Sequence, residues 1–142
     1  MPRAPDRSPP RWIEYRLADG WIALVGRTDL DSERLSLEVA RPNDFWFHVR
    51  GMPGGHVVLR ARDDAEPDRR TLEAAASLAV WHSKARGGGT STVSCARARD
   101  VSKPRGAPVG TVRLRRETTL AVRPPDSTQI ERWSRPSVDG EA

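Results

Sequence analysis

The chain has 142 residues, of which 37% are hydrophobic and 30% are charged, a length that suits one domain with its own core. No apolar run approaches the ~20 residues that span a bilayer, so a membrane-spanning protein is excluded. Lysine and arginine outnumber acidic residues by 24 to 19, which gives a net charge of +5 and favours an anionic partner such as RNA or DNA.

The N-terminal segment predicts no folded element. Residues 1–10 contain four prolines and no periodic apolar pattern, and we expect a disordered tail there. The segment is basic but no apolar stretch follows it, so it does not resemble a secretory signal. The single cysteine, Cys95, excludes an internal disulfide. These features together predict a cytoplasmic protein.

Two strands and a helix open the ordered part of the chain. The first strand begins at Trp12, the Asp19-Gly20 pair predicts a hairpin turn, and the return strand covers residues 21–25. A helix is expected over residues 29–40, with Asp29 or Asp31 as its N-cap.

The central stretch, residues 43–60, reads NDFWFHVRGMPGGHVVLR and predicts a hairpin around a turn rich in glycine and proline. Because side chains alternate along a strand, the first strand has two different faces. Its apolar face is formed by Phe45, Phe47 and Val49, and its mixed face by Trp46, His48 and Arg50. The second strand has two similar faces, formed by Val57, Leu59 and Ala61 and by His56, Val58 and Arg60. The mixed faces bring aromatic and cationic groups to one surface, as a phosphate-and-base interface requires. The alternative is an ordinary hairpin whose polar face meets water.

The second half of the chain predicts one long helix and three further strands. The helix is expected over residues 68–86, with Asp68 as its N-cap and the glycines at 87–89 as its end. The strands are expected at 92–96, 111–115 and 119–123. An α+β domain therefore covers residues 11–124, with an antiparallel or mixed sheet, one long helix and one short helix. Residues 125–142 are expected to be disordered, although Ile130 and Trp133 could form a small docking segment.

A search for catalytic and metal-binding motifs gives no convincing constellation. Phosphate-binding glycine motifs and the nucleophile elbow are absent. The spacing of His48, His56, His82 and Cys95 matches no zinc module. We therefore expect no metal, no cofactor and no catalysis. The remaining enzymatic alternative is a nucleic-acid-processing enzyme that uses His48 and His56 as an acid–base pair.

Basic residues are concentrated between residues 97 and 116. The seven cations of this stretch are Arg97, Arg99, Lys103, Arg105, Arg113, Arg115 and Arg116. Lys84 and Arg86 add two more at the end of the long helix. A basic stripe of this kind favours binding to a phosphate backbone, and the alternative is a solvated face.

Four blocks of the sequence resemble the NFACT-R domain family. They are GWIALVGR at 20–27, NDFWFHVRGMPGGHVVLR at 43–60, LEAAASLAVWHSKAR at 72–86 and KPRGAPVGTV at 103–112. The blocks occur in the family's order, and the second is the most specific. Two positions depart from the family pattern, because Thr28 and Ser32 stand where the family usually has asparagine.

The resemblance implies RNA binding in translation or ribosome-associated quality control, with transfer or ribosomal RNA as the partner and the large ribosomal subunit as a further candidate. It implies a free-standing domain, because the family's additional domains do not fit into this length, and the tailing of stalled chains is not expected. The predicted RNA contacts form two groups. The group at the hairpin consists of Trp46, His48, Arg50 and His56. The group of phosphate-binding cations consists of Lys84, Arg86, Lys103 and Arg105. A DNA-binding module is the alternative, since the same charges would serve it.

Overall fold

The computed structural model describes residues 8–135. Most of the predicted N-terminal tail and the end of the predicted C-terminal tail therefore lie outside the described residues. A six-stranded antiparallel sheet, in the order β1-β2-β4-β3-β5-β8, forms the framework. Its strands are β1 (Trp12–Arg16), β2 (Ile22–Gly26), β3 (Phe45–Val49), β4 (Val57–Leu59), β5 (Ser91–Arg97) and β8 (Thr118–Val122). A separate pair joins β6 (Val101–Ser102) to β7 (Arg113–Leu114). No helix among the described residues is long and apolar enough to cross a membrane.

Both predicted hairpins are present. The β1–β2 turn contains Asp19 at φ 62° and Gly20 at φ 80°, which is the left-handed geometry that an Asp-Gly pair favours. The β3–β4 hairpin pairs Phe45 with Leu59 and Phe47 with Val57. The fold is α+β, as the sequence predicts.

One face of the sheet packs against helices α2 (Arg69–Trp81) and α3 (Ser127–Ser134). The buried face of α2 is built mainly from small residues such as Ala75, Ala76 and Ala79, which are 0% exposed and let the helix approach the sheet closely. Phe47 and Val57 supply the sheet side of this core. We call it the helix-side core.

The opposite face of the sheet is also covered. Helix α1 (Asp29–Arg34) continues directly into a π-helical turn, Leu35–Val39. Leu35 from this turn is 0% exposed and packs with Trp46 and Val58 from the sheet. Val101 from the small β6–β7 sheet completes this second core. The mixed face of the central hairpin is therefore partly interior.

The predicted helix over 29–40 is a single helical segment whose N-cap differs from the prediction. Thr28, and not Asp29 or Asp31, is the N-cap, and its hydroxyl accepts a hydrogen bond from the Asp31 amide at 3.0 Å. Threonine serves this role much as asparagine does. Thr28 therefore departs from the family pattern but still caps the start of the helix.

Helix α2 begins at the predicted cap and ends earlier than predicted. The Asp68 carboxylate accepts from the Thr71 amide at 2.9 Å, but the helix ends at Trp81 and not at Arg86. The next residues turn toward the β3–β4 hairpin, where Gly54 and Ser83 form an isolated bridge and the Gly55 amide donates to the His82 carbonyl at 3.0 Å. Pairing with the hairpin turn replaces the last helical turn.

Residues 127–134 form helix α3, which corrects the prediction of disorder from residue 125. Asp126 and Gln129 form a capping box at its start, an arrangement that satisfies two backbone amides. Ile130 and Trp133 pack against the helix-side core. The docking segment considered for these two residues is thus an intramolecular one.

A substitution at Gly26 should test how tightly α1 is seated on the sheet. A Cβ at Gly26 would lie 2.5 Å from the Ser32 Oγ and 2.6 Å from the Ser32 Cα, so rotation of the serine side chain cannot relieve the clash. We expect Gly26→Ala to lower the free energy of unfolding by about 2 kcal/mol or more, as measured by urea denaturation. Gly87→Ala is the matched control, because a Cβ there meets nothing within 4 Å; equal effects of the two substitutions would contradict this packing.

Candidate nucleic-acid interface

Two clefts lie on either side of the β3–β4 turn and share Asp29, Pro53 and Gly54 in their linings. The hairpin cleft, defined by His48, Arg50, Ser94 and Glu117 with the loop at 109–112, has a volume of about 580 Å³. The cationic cleft, defined by Arg27, His82, Lys84 and Arg86, has a volume of about 400 Å³. Together they form one surface centred on the most family-specific stretch of the sequence.

The structure places Trp46 in the core and not on the surface. Its side chain is 2% exposed, and its indole Nε1–H donates to the Ser36 hydroxyl at 2.9 Å. The prediction that Trp46 stacks on a base fails for this reason, since no open ring face is available. Strand alternation assigns this residue to the mixed face but cannot show that α1 and the π turn cover it.

His56 is also interior. It is 3% exposed, and its Nδ1 lies 2.8 Å from the Ser36 hydroxyl. Burial, with a smaller effect of neighbouring His48, lowers the pKa of His56 to about 4. The ring is therefore neutral at physiological pH and supports the cleft floor, and we remove it from the set of direct RNA contacts.

His48 lies at the boundary between this floor and the open cleft. Its ring stacks on Trp46, with centroids 6.0 Å apart and planes at 26°, and meets His56 edge-on at 5.4 Å. Burial lowers its pKa below the ordinary value. A neutral, half-buried ring that lines a cleft presents an aromatic surface rather than a charge.

Arg50 is exposed, as predicted, but it is paired. Its guanidinium lies 3.2 Å from the Glu117 carboxylate. The Ser94 hydroxyl donates to the same carboxylate oxygen. The sequence contains no signal for a role of Glu117, because an acid at the end of a basic stretch is typical of any solvated surface.

The cationic cleft holds predicted and unpredicted cations together. Lys84 is exposed and has no ion-pair partner within residues 8–135. Arg86 stacks on the Trp81 ring at 4.3 Å and donates to the Trp81 carbonyl at 2.7 Å, which fixes its position. Arg27 joins them from the end of β2. It is the last residue of the family-like block GWIALVGR, so a sequence signal for it was available.

The structure separates Lys103 from the other predicted phosphate contacts. The Lys103 ammonium is paired with Glu33 and donates to the Pro108 carbonyl at 2.8 Å, so it anchors the loop of the hairpin cleft to α1. Arg105 lies on the same loop, is exposed and forms no ion pair among the described residues. Of the two, Arg105 is the one available to a phosphate.

Several cations of the basic stretch have internal partners. Arg97 stacks on Phe45 at 3.9 Å and pairs with Glu66, and Arg99 donates to the Asn43 side chain at 2.8 Å. Arg115 lies 3.7 Å from buried Asp100. Part of the basic stretch between residues 97 and 116 is thus engaged in contacts within the protein.

The four residues considered as zinc ligands do not converge. Cys95 belongs to the helix-side core, on the face opposite to His48 and His56. His82 binds the Tyr15 hydroxyl at 2.6 Å. Within the described part of the chain, no three His, Cys, Asp or Glu side chains form a group that could hold a metal ion.

The buried histidines should make the fold sensitive to mild acid. The pKa of His56 and that of His82 lie at about 4, whereas an unfolded histidine titrates near 6.5. The unfolded chain therefore binds more protons as pH falls from about 6.5 to about 4, and stability decreases across that window. Buried His56 alone should cost roughly 3 kcal/mol by pH 4.

Urea denaturation at several pH values measures this loss. His56→Gln should show a shallower decrease than the native sequence between about pH 6.5 and pH 4. Carboxylates such as Asp31, whose pKa is lowered chiefly by a hydrogen bond from the Arg11 amide, lose their contribution at lower pH. An unfolding free energy that is constant from pH 7 to pH 5 would contradict the assignment.

The chain is thus an α+β domain whose antiparallel sheet has a cationic cleft beside one hairpin turn. It belongs to the NFACT RNA-binding domain family, described as the NFACT protein RNA binding domain, whose model matches residues 11–116. This membership establishes an RNA-binding domain.

Named relatives support the same family. The chain is 36% identical to the Rqc2 homolog RqcH of Bacillus subtilis over 82% of this chain and 20% of that protein. It is 36% identical to RqcH of Streptococcus suis over 78% of this chain and 20% of that protein. The chain thus spans about a fifth of the length of the curated relatives it matches.

A solved structure has the same fold. It is the C-terminal part of the fibronectin/fibrinogen-binding protein from Streptococcus suis, at a TM-score of 0.78 and 33% identity. The match covers 92% of this chain and 51% of that one.

Proposed function

We propose that the protein is a non-catalytic RNA-binding protein that acts on transfer or ribosomal RNA in ribosome quality control. The family membership supports RNA as the ligand, and the similarity to the RqcH proteins supports the cellular context. The large ribosomal subunit is the platform we propose for this activity. A ribosomal partner would also agree with the cytoplasmic location expected from the sequence.

The observation that carries the proposal is the cationic cleft beside the β3–β4 turn. Arg27, Lys84 and Arg86 line one cleft, and Arg86 is held in place by its contact with Trp81. Clustered cations on a fixed backbone neutralise neighbouring phosphates and position the RNA. Asp29 is an acidic residue that lines both clefts. The positive charge of this surface is therefore interrupted at the boundary between the two clefts.

The two alternatives from the sequence receive less support. A DNA-binding module would use the same charges, but the family description names RNA. An acid–base mechanism with His48 and His56 would need two accessible rings, whereas His56 is 3% exposed and its Nδ1 is engaged with Ser36. The pKa of about 4 also keeps His56 uncharged at neutral pH, so the imidazolium form that would act as the general acid is not populated.

Crosslinking in cells, followed by sequencing of the attached RNA, tests the function. We expect enrichment of transfer RNA or of one region of ribosomal RNA. A Lys84→Glu, Arg86→Glu double variant should lose that enrichment. A library that is evenly spread, or unchanged by the double variant, would contradict the proposal.

A further inference from the structure

Glu117 is an acid inside a surface that is otherwise suited to bind an anion. Its Oε2 atom accepts from the Ser94 hydroxyl and forms an ion pair with Arg50. Within residues 8–135, no donor reaches its Oε1 atom. Ser94 is 5% exposed, so the carboxylate is oriented from a buried strand and keeps one acceptor free.

The pairing makes Arg50 a poor site for a phosphate. A phosphate that approached Arg50 would also approach the Glu117 carboxylate, and like charges at short range repel. An arginine and a carboxylate side by side instead offer a donor next to an acceptor. The edge of a nucleobase presents the complementary groups, whereas a phosphate presents acceptors alone.

The hairpin cleft also has the shape and lining of a base site. Its loop side is apolar, with Val112 and Leu114 partly buried and Val109 53% exposed at the rim. The His48 ring and Pro53 contribute from the hairpin side. Apolar walls with a few oriented polar groups are typical of small-ligand sites, and histidine rings serve as stacking surfaces for unpaired bases.

We propose that the hairpin cleft binds the base of one unpaired nucleotide, with His48 as the stacking surface and Glu117 as the residue that selects the base. The proposal rests on the RNA-binding function argued above and names its specificity. The Glu117 carboxylate accepts a hydrogen bond from an amino group on the base, and Arg50 donates to a neighbouring ring nitrogen or carbonyl. The phosphates on either side extend toward the cationic cleft.

This chemistry discriminates against uracil. Guanine, cytosine and adenine each carry an amino group, and carboxylates pair with such groups in base recognition. Uracil has one edge N–H between two carbonyl oxygens, and both carbonyls repel an approaching carboxylate. Guanine matches best, because its amino group and its adjacent ring N–H can both approach the free Oε1 atom, and its neighbouring carbonyl oxygen can accept from Arg50.

The test uses a short RNA hairpin whose loop is all uridine, or carries guanine, cytosine or adenine at its centre. Affinity is measured by fluorescence anisotropy for the native protein, Glu117→Gln and the matched control Glu73→Gln, which changes the same charge on α2. We expect the native protein and the control to bind the guanine loop about tenfold more tightly than the uridine loop. Glu117→Gln should remove most of that preference and retain affinity for the uridine loop.

The outcomes separate this inference from the proposed function. Equal affinity for all loops, or a uniform gain in affinity with Glu117→Gln, would show that Glu117 only neutralises Arg50 and would overturn the inference. In that case, loss of binding in the Lys84→Glu, Arg86→Glu variant would still support the proposed function. Absence of binding to every loop would overturn both. A second variant, Ser94→Ala, should reduce the guanine preference without removing binding, because it frees the carboxylate to rotate.

Discussion

Replacing both Lys84 and Arg86 with glutamate should weaken RNA binding about fiftyfold or more in roughly 0.1 M salt, because each lost phosphate contact removes nearly a factor of ten under these conditions. The salt dependence should fall with it, and the slope of log K against log[salt] should decrease by about two units. Titration of a labelled RNA at several salt concentrations measures both quantities. The native fold of the variant is checked by its thermal transition.

A matched control is available at the start of α2, the helix whose end leads into Lys84 and Arg86. Arg69→Glu with Arg70→Glu makes the same change in net charge at the start of α2, about 20 Å from its other end. Both arginines are exposed, and glutamate is well tolerated in the first turn of a helix. The control should change affinity by no more than about threefold, as expected for a long-range charge effect. Equal losses in the two variants would mean that net charge, and not the cationic cleft, drives binding.

Trp46→Ala should lower the free energy of unfolding by about 3–5 kcal/mol, because it removes a buried indole and leaves a cavity. The same substitution also removes the indole N–H that donates to the Ser36 hydroxyl, and leaves that hydroxyl with His56 as its partner. Chemical denaturation measures the loss. A cost below about 1 kcal/mol would contradict the buried position.

Trp46→Phe separates the core role from the stacking role first predicted for this residue. The smaller ring keeps most of the apolar contact and loses the indole N–H, so we expect a folded variant of reduced stability. Its RNA affinity should match that of the native protein. A drop of tenfold or more in a folded variant would show that the indole contacts RNA after all, since stacking on a base contributes about 1–3 kcal/mol.

Lys103 shows why charge reversal needs structural guidance. The sequence favours a Lys103→Glu, Arg105→Glu test of phosphate binding. In the structure, a glutamate at 103 would face Glu33 and release the loop of the hairpin cleft. Arg105→Glu alone is therefore the informative variant, and a modest loss of RNA affinity is expected from it.

The central hairpin illustrates what the sequence can and cannot predict. Alternation correctly assigns Phe47 to one core and Trp46 to the opposite face, because side-chain direction follows from the backbone alone. Whether the second face is wet depends on a distant segment, and the π turn around Leu35 settles it by packing over Trp46. No local pattern contains that information.

Two other features show the same difference between local signals, which the sequence contains, and contacts between distant segments, which it does not. The Asp126 and Gln129 capping box is a local signal for the start of α3, although the composition of residues 125–142 predicts disorder. The strand order, by contrast, places β3 between β4 and β5, and spacing along the chain does not reveal such neighbours. The hairpin cleft depends on this order, because Arg50 directly after β3 and Ser94 in β5 both contact Glu117. Candidate cations could be read from the sequence, but their partners could not.

The most direct test of the central claim is to crosslink the protein to bound RNA with ultraviolet light and to identify the modified peptides by mass spectrometry. We expect crosslinks in the β3–β4 turn, around residues 48–54, and in the segment after α2, around residues 82–86. A second groove lies between α2 and α3 and is lined by Arg70, Glu73 and Trp133. Crosslinks concentrated in that groove, with none at the turn, would contradict this expectation.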